Sequence, residues 1–339
     1  MKSTREITVM RNIKIIIALA IILLVSVGIV IGVTNHQSSE KISIVATNFP
    51  AYDFARAVVG DHAKIKMLVS PGADIHDFEP TPEDIIDIKN SQLFIYNGGE
   101  SDEWVEELIN NLEPEKTKLL RMMDAVNLVE EEAVEGMEAH EHEEHEEHEE
   151  HEEHEEHEEH EEQPEYDEHI WTSLRNSIKI IDQIKNTLME LSPENQKQFE
   201  ENAEHYIDKL KTLDSKFQGI IDNSKRKTLI FGDRFPFRYF VDDYGLNYFA
   251  AFPGCSDQTE ASSKTISFLI DKVKTKSIPV IFKIEMSNGN IAKTISEETG
   301  AKVLEFNSAH NISTNDFKNG RTYLDIMEEN LTALKEALE

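Results

Sequence analysis

From His142 the chain repeats His-Glu-Glu, placing imidazoles at His142, His145, His148, His151, His154, His157 and His160, with His140 just before them. Imidazole nitrogen suits Zn, Cu and Ni, and zinc takes both imidazole and carboxylate readily. No apolar residue interrupts the run to Glu162. It can bury nothing and is expected to be disordered. In a helix a three-residue step drifts by about 60° per His, so no stripe of ligands would form. In a mobile loop any few of the imidazoles can converge on one ion. The competing reading is a solvated acidic run in which His is incidental. The tract is therefore expected to contact metal weakly, and a tight site must be sought elsewhere.

The other donors limit where. The single cysteine, Cys255, rules out both a disulfide within the chain and a four-cysteine zinc site. It reads first as a small buried hydrophobe rather than a thiolate ligand. A tight site must then be made mainly of His, Asp and Glu. Two histidines have suggestive surroundings. His76 lies in a Pro/Gly/Asp loop after a strand candidate, where ligand sites of α/β lobes gather. His169 stands beside Asp167, Glu168 and Trp171, ahead of a helix. Each has a plainer reading, an exposed loop residue and a packed or capping one. The net charge is −32, and only 15 of the 66 acidic residues lie in the tract, so the remainder is acidic too. That excludes a nucleic-acid partner, whose phosphates require a basic patch.

The elements that must hold these residues follow from pattern. Strands are expected at Ile42–Ala46, Lys64–Val69, Gln92–Tyr96, Thr228–Phe231, Leu246–Phe252, Pro279–Ile284 and Lys302–Phe306. Helices are expected at Pro50–Val59, after Thr81-Pro82-Glu83, and at Glu103–Asn110, Glu260–Thr275, Asn290–Thr299 and Gly320–Leu338. Ser192-Pro193-Glu194 repeats the Thr81 start signal and opens a helix of about 30 residues reaching Asp222. Phe199, Ala203, Tyr206, Ile207, Leu210, Leu213, Phe217 and Ile220 lie near helical spacing along it. The fold class is α/β: two lobes with parallel sheets, joined by one long helix. The expected divisions are 1–41, a membrane anchor or signal segment plus linker; 42–191, a first lobe containing a disordered His/Glu-rich loop at 131–166; 192–223, the linking helix; and 224–339, a second lobe.

At the N-terminus, Lys2, Arg5, Arg11 and Lys14 precede an uncharged apolar run, Ile15 to Val33. It nearly matches the ~20 residues of a spanning helix, with the basic flank inside. An uncleaved anchor is preferred to a cleaved signal, because no small-x-small site follows Val33. No cysteine directly follows the run, which argues against a lipid anchor. Either way the bulk of the chain is expected outside the cytoplasmic membrane.

Several stretches together resemble a family: the zinc/manganese-binding solute receptors of ABC importers, in the cluster with a rigid linking helix. They are Ile44-Val45-Ala46-Thr47-Asn48-Phe49-Pro50, Gly72 to Thr81 with His76 inside it, the acidic His loop, Asp167-Glu168-His169-Ile170-Trp171, Pro193 to Tyr206, and Phe237-Arg238-Tyr239-Phe240 followed by Tyr244-Gly245-Leu246. The resemblance covers roughly residues 42–339. It implies a metal in the cleft between the lobes, with His76 and His169 as ligands from the first. In the second lobe this chain departs from the pattern. Arg234 stands where the resemblance implies His or Glu, and a guanidinium cannot ligate. Asp233 is the nearest replacement, unless Arg234 pairs with a site carboxylate. The last implied ligand, an acid, matches Asn307, and His310 three residues on is the better donor. The expected function is a non-enzymatic, monomeric receptor that passes Zn2+ to a membrane permease. Alternatives are a manganese receptor or adhesin of the same fold, a metal buffer dominated by the tract, and a zinc-dependent surface hydrolase. The last lacks any His-Glu-x-x-His or Gly-x-Ser-x-Gly.

Overall fold

Short runs rich in branched and aromatic residues form two sheets of four parallel strands. A computed structural model describes residues 41–76, 78–109, 112–113, 115–137, 165–256 and 260–339. The first sheet contains β1 (Ile42–Ala46), β2 (Ala63–Met67), β3 (Leu93–Tyr96) and β4 (Lys118–Arg121), in the order β2-β1-β3-β4. The second contains β5 (Thr228–Phe235), β6 (Asn247–Pro253), β7 (Val280–Lys283) and β8 (Lys302–Glu305), in the order β6-β5-β7-β8. All pairings are parallel. Parallel strands need helical crossovers and are covered on both faces, which is why β1, β3 and β7 read as nearly unbroken apolar runs.

The crossovers of the first lobe are α1 (Phe49–Val59), α2 (Pro82–Asn90) and α3 (Glu103–Ile109). Asn48 caps α1 by accepting from the Ala51 N–H. Thr81 and Asp84 close a capping box on α2, as its Thr-Pro-Glu start predicts. An 18-residue helix, α4 (Leu174–Leu191), then packs against α5 (Gln196–Asp222). The second lobe adds α6 (Arg238–Tyr244), α7 (Ser263–Lys276), α8 (Asn290–Thr299), α9 (Thr314–Lys318) and α10 (Tyr323–Leu338).

The linking helix α5 has 27 residues, about 40 Å at ~1.5 Å per residue. It begins later than Ser192-Pro193-Glu194 suggests. Pro193–Asn195 form a single 3-10 turn, and the Ser192 hydroxyl is used on the Glu194 and Asn195 side chains rather than as the helix cap. Its buried face is the expected one, except that Ile221 is buried and Ile220 is not. This face meets α1 and α4 on one side and α10 on the other, so one apolar cluster runs from β1 through α5 to the β5–β7 face. Asp53 of α1 marks the junction. Its buried carboxylate accepts from the Tyr206 hydroxyl of α5 at 3.0 Å and from the Tyr323 N–H of α10 at 2.9 Å, and pairs with Arg56.

Residues 131–137 and 165–166, inside the loop expected to be disordered at 131–166, are held by specific contacts. The Glu131 N–H donates to Glu165 O at 2.9 Å, the Asp167 N–H donates to Val129 O at 3.0 Å, and Glu130 bridges Tyr166. Val134 and Met137 pack on the main core, Glu132 pairs with Arg238, and Glu135 pairs with Lys272. Two apolar side chains and two cation partners explain the order of a stretch that composition marks as acidic loop. The candidate auxiliary ligands His140 to His160 and the candidate anchor at 1–40 lie outside the described residues. Among the described residues no helix is long and apolar enough to cross a membrane.

Candidate metal centre

Loops at the carboxyl ends of the strands build the site, where open α/β sheets place their ligands. His76 is on the loop after β2, His310 on the loop after β8, and His169 just ahead of the 3-10 turn Ile170–Thr172 that leads to α4. The three ring centroids lie 5.8 Å (His76–His169), 4.9 Å (His76–His310) and 5.3 Å (His169–His310) apart. Each ring offers one nitrogen within 4.8 Å of the others. Tetrahedral zinc–nitrogen bonds of about 2.1 Å set nitrogens about 3.4 Å apart, so closing on one ion takes small side-chain movements.

Hydrogen bonds choose the tautomers. His169 faces Asp167 Oδ1 through Nδ1 at 3.2 Å, which leaves Nε2 as the free donor atom. His76 Nδ1 meets Ser101 Oγ at 3.0 Å, and that hydroxyl donates to Glu168 Oε2 at 2.5 Å. The hydroxyl proton is thus committed to Glu168, and Ser101 accepts from His76. His76 Nε2 is buried without a partner. Glu168 fits because Gly99 lacks a side chain: a Cβ there would stand 2.4 Å from Glu168 Oε1. Gly254 leaves room for the His169 ring in the same way: a Cβ there would stand 3.1 Å from Cε1.

His310 is set by its backbone. Ala309, beside it, adopts φ +57°, a left-handed conformation that costs a side-chain-bearing residue of order 1–3 kcal/mol. The surroundings hold it there. Buried Glu285 accepts from the Ser308 N–H (2.7 Å), the Ser308 hydroxyl (2.5 Å) and the His310 N–H (3.1 Å). Asn307 Oδ1 accepts from the Ala309 N–H, and Trp171 Nε1 donates to Ser308 O at 2.8 Å.

Burial opposes charge on all three imidazoles. It pushes His76 down to about 4, helped by the neighbouring His169, and holds His310 well below the usual range. Burial also acts on His169, but Asp167 and its hydrogen bond outweigh it, with Glu168 and Glu131 adding to them, so His169 sits above the usual imidazole value. Neutral imidazoles are the state that binds metal.

The structure brings together His76, His169 and His310 and leaves out Asp233. The Asp233 carboxylate is engaged by backbone: Oδ1 accepts from the Arg234 N–H at 3.0 Å and Oδ2 from the Ile284 N–H at 3.3 Å. It lines a cavity of 360 Å³ beside His310 but is not part of the three-imidazole group. The physical reason is that β5 continues to Phe235, past the expected Phe231, with a register shift between Phe231 and Arg234 that turns Asp233 onto the neighbouring strand end. Arg234 does pair with a carboxylate, Asp74, at 3.1 Å. Cys255 is half-buried, and desolvation together with Glu131, Asp167 and Glu168 pushes its thiol far up, away from a ligating thiolate. Sequence reasoning missed Glu285 and Ser101. Glu285 had a signal: an acid directly after a buried strand, at its carboxyl end.

Two parallel-sheet lobes linked by one long helix, with imidazoles gathered from both, define the class of helix-linked metal-binding receptors. A family model described as "Zinc-uptake complex component A periplasmic" (ZnuA) matches residues 44–337, and the chain belongs to that family. Zinc-binding lipoprotein AdcA of Streptococcus pneumoniae is 30% identical over 308 residues, which cover 90% of this chain and 57% of that protein. The chain therefore spans little more than half the length of the streptococcal relatives it matches. High-affinity zinc uptake system protein ZnuA of Bacillus subtilis is 30% identical over 302 residues, 89% of each chain. Among solved structures, the Zn(II)-bound ZnuA-like domain of Streptococcus pneumoniae AdcA superposes with a TM-score of 0.70 at 28% identity, covering 88% of this chain and 99% of that domain. Metal-dependent lipoprotein YcdH of Bacillus subtilis gives 0.71 at 26% identity, with 88% and 99% covered.

Proposed function

We propose that this chain is an extracytoplasmic receptor that captures Zn2+ through His76, His169 and His310 and hands it to the membrane permease of an ABC importer. The observation that carries the reading is the convergence of three desolvated imidazoles from both lobes, two of them oriented through Nδ1 to leave Nε2 free. Three nitrogen donors favour zinc over manganese, which prefers oxygen. The names of the relatives, zinc-binding and zinc-uptake proteins, support the same cargo. The reading assigns no catalysis. It gives the run Ile15–Val33 the task of holding a monomer at the outer face of the membrane, and the tract at 140–162 that of a weak collector.

The test is competition with a zinc chelator, using the intact chain, His76→Ala, and a deletion of residues 140–162. One tight site should survive the deletion and be lost in His76→Ala. Unchanged affinity in His76→Ala would sink the site. Loss of all binding on deletion would make the tract the function.

The pH dependence has a definite sign. On acidification His169 takes a proton first, because its affinity for one is raised. Zinc affinity should be flat while His169 is neutral and fall about tenfold per pH unit once it protonates, as one proton competes with the metal. His76 adds a second competing proton only near pH 4. Affinity that stays level from pH 7.5 to pH 5 would remove His169 from the ligand set.

A further inference from the structure

Each lobe's ligands are held by the other lobe. Tyr239 of α6 donates its hydroxyl to Asp167 O at 2.8 Å, and Asp167 orients His169. Asn311, beside His310, likewise donates across to Ser70 O at 2.8 Å and to Ala73 O at 2.6 Å, on the loop that carries His76, and ties the two ligand loops together. Arg234 completes this pattern. Its guanidinium donates to Ser256 O at 3.2 Å, within its own lobe, and to Asp74 Oδ2 at 3.1 Å, in the opposite one. Asp74 uses its other oxygen, Oδ1, to accept from the His76 N–H at 3.2 Å. The connection runs Arg234, Asp74, His76, with no gap.

We propose that Arg234, standing where a fourth ligand was expected, is a positioning residue: through Asp74 it fixes the His76 loop against the second lobe and so lengthens the time that bound metal is retained. The proposal rests on the zinc-receptor reading above. Fork geometry suits the task, since one guanidinium reaches two acceptors in fixed directions, which an ammonium does not. The pair is only partly screened, with the side chains of Arg234 and Asp74 at 21% and 33% exposure.

Charge alone makes the opposite prediction, which gives the test its power. The Arg234 cation acts on both His76 and His310. Repulsion of an incoming dication by Arg234 would be relieved in Arg234→Met, and binding would tighten. Positioning predicts the reverse. Zinc association and dissociation rates should be measured by stopped flow against a chelator for the wild type, Arg234→Met, Arg234→Lys and Asp74→Asn, with apo melting temperatures as a check on folding.

Arg234→Met and Asp74→Asn should each speed dissociation about tenfold or more, with association nearly unchanged. Arg234→Lys should recover part of the loss. The double variant should be no worse than either single one, since both break one connection. X-ray absorption should report the same number of imidazole ligands in the wild type and Arg234→Met. Dissociation that is unchanged or slower in Arg234→Met, or a changed ligand set, overturns the proposal. His76→Ala separates the two readings: if it abolishes tight binding while the Arg234 variants release zinc normally, the site stands and only the positioning role falls.

Discussion

Zinc affinity is expected to fall by at least about 100-fold in His169→Ala, measured by chelator competition at pH 7.5. Loss of an orienting partner alone typically costs 10- to 100-fold in metal affinity, and His169 is proposed as a direct ligand. It is also the most constrained of the three rings. It is almost fully buried, faces Asp167 through Nδ1, and packs edge-on against Trp171. Asp167→Asn should give a smaller loss by weakening the choice of tautomer. The same change should move the acid limb of the pH profile toward lower pH, because Asp167 supports the charged imidazole. Wild-type affinity in His169→Ala would leave a two-imidazole site, too few donors for tight zinc, and would end the receptor reading.

Glu285→Gln should weaken zinc binding by about 10- to 100-fold without touching any ligand. The carboxylate is acceptor-only and faces three donors from Ser308 and His310. An amide sets its own N–H groups against at least one of them, and a buried donor without a partner costs about 1–3 kcal/mol. That is enough to release Ala309 from its left-handed conformation and let His310 swing. Burial pushes the Glu285 carboxyl up, against the pull of those hydrogen bonds. His310→Ala should lose at least as much affinity, and adding Glu285→Gln to it should cost nothing further. Wild-type affinity in Glu285→Gln would mean that His310 is placed by packing alone.

What could be read from the chain is what local pattern encodes. Alternation of buried runs with capped helices placed the strands of both sheets within a residue or two in most cases, the late end of β5 aside. The short strand Lys118–Arg121 escaped because two of its four residues are basic and it lies at a sheet edge. His76, His169 and His310 are legible in the sequence, the first two chiefly through motif resemblance, and so is a carboxylate partner for Arg234. The identity of that partner and the other supports are not. Ser101, Glu285 and the Asp74–Arg234 pair act across separations of 25 to 160 positions. No periodicity links positions so far apart; only the folded sheet ends bring them together. Asp233 stays outside the three-imidazole group for a related reason. As an isolated acid it could serve as a ligand, but a strand extended by four residues commits its oxygens to backbone.

One contact gives the molecule a built-in optical reporter. The chain has two tryptophans. Trp104 is packed among Phe78 and Phe94 in the first lobe. Trp171 lies 5.6 Å from both His169 and His310, and its indole N–H is tied to the His310 loop. Any change in charge or ring position at those imidazoles alters the field on a single indole, while the other remains as an internal reference. With His169 and His310 as the proposed ligands, emission from the unlabelled protein should change as zinc arrives and departs.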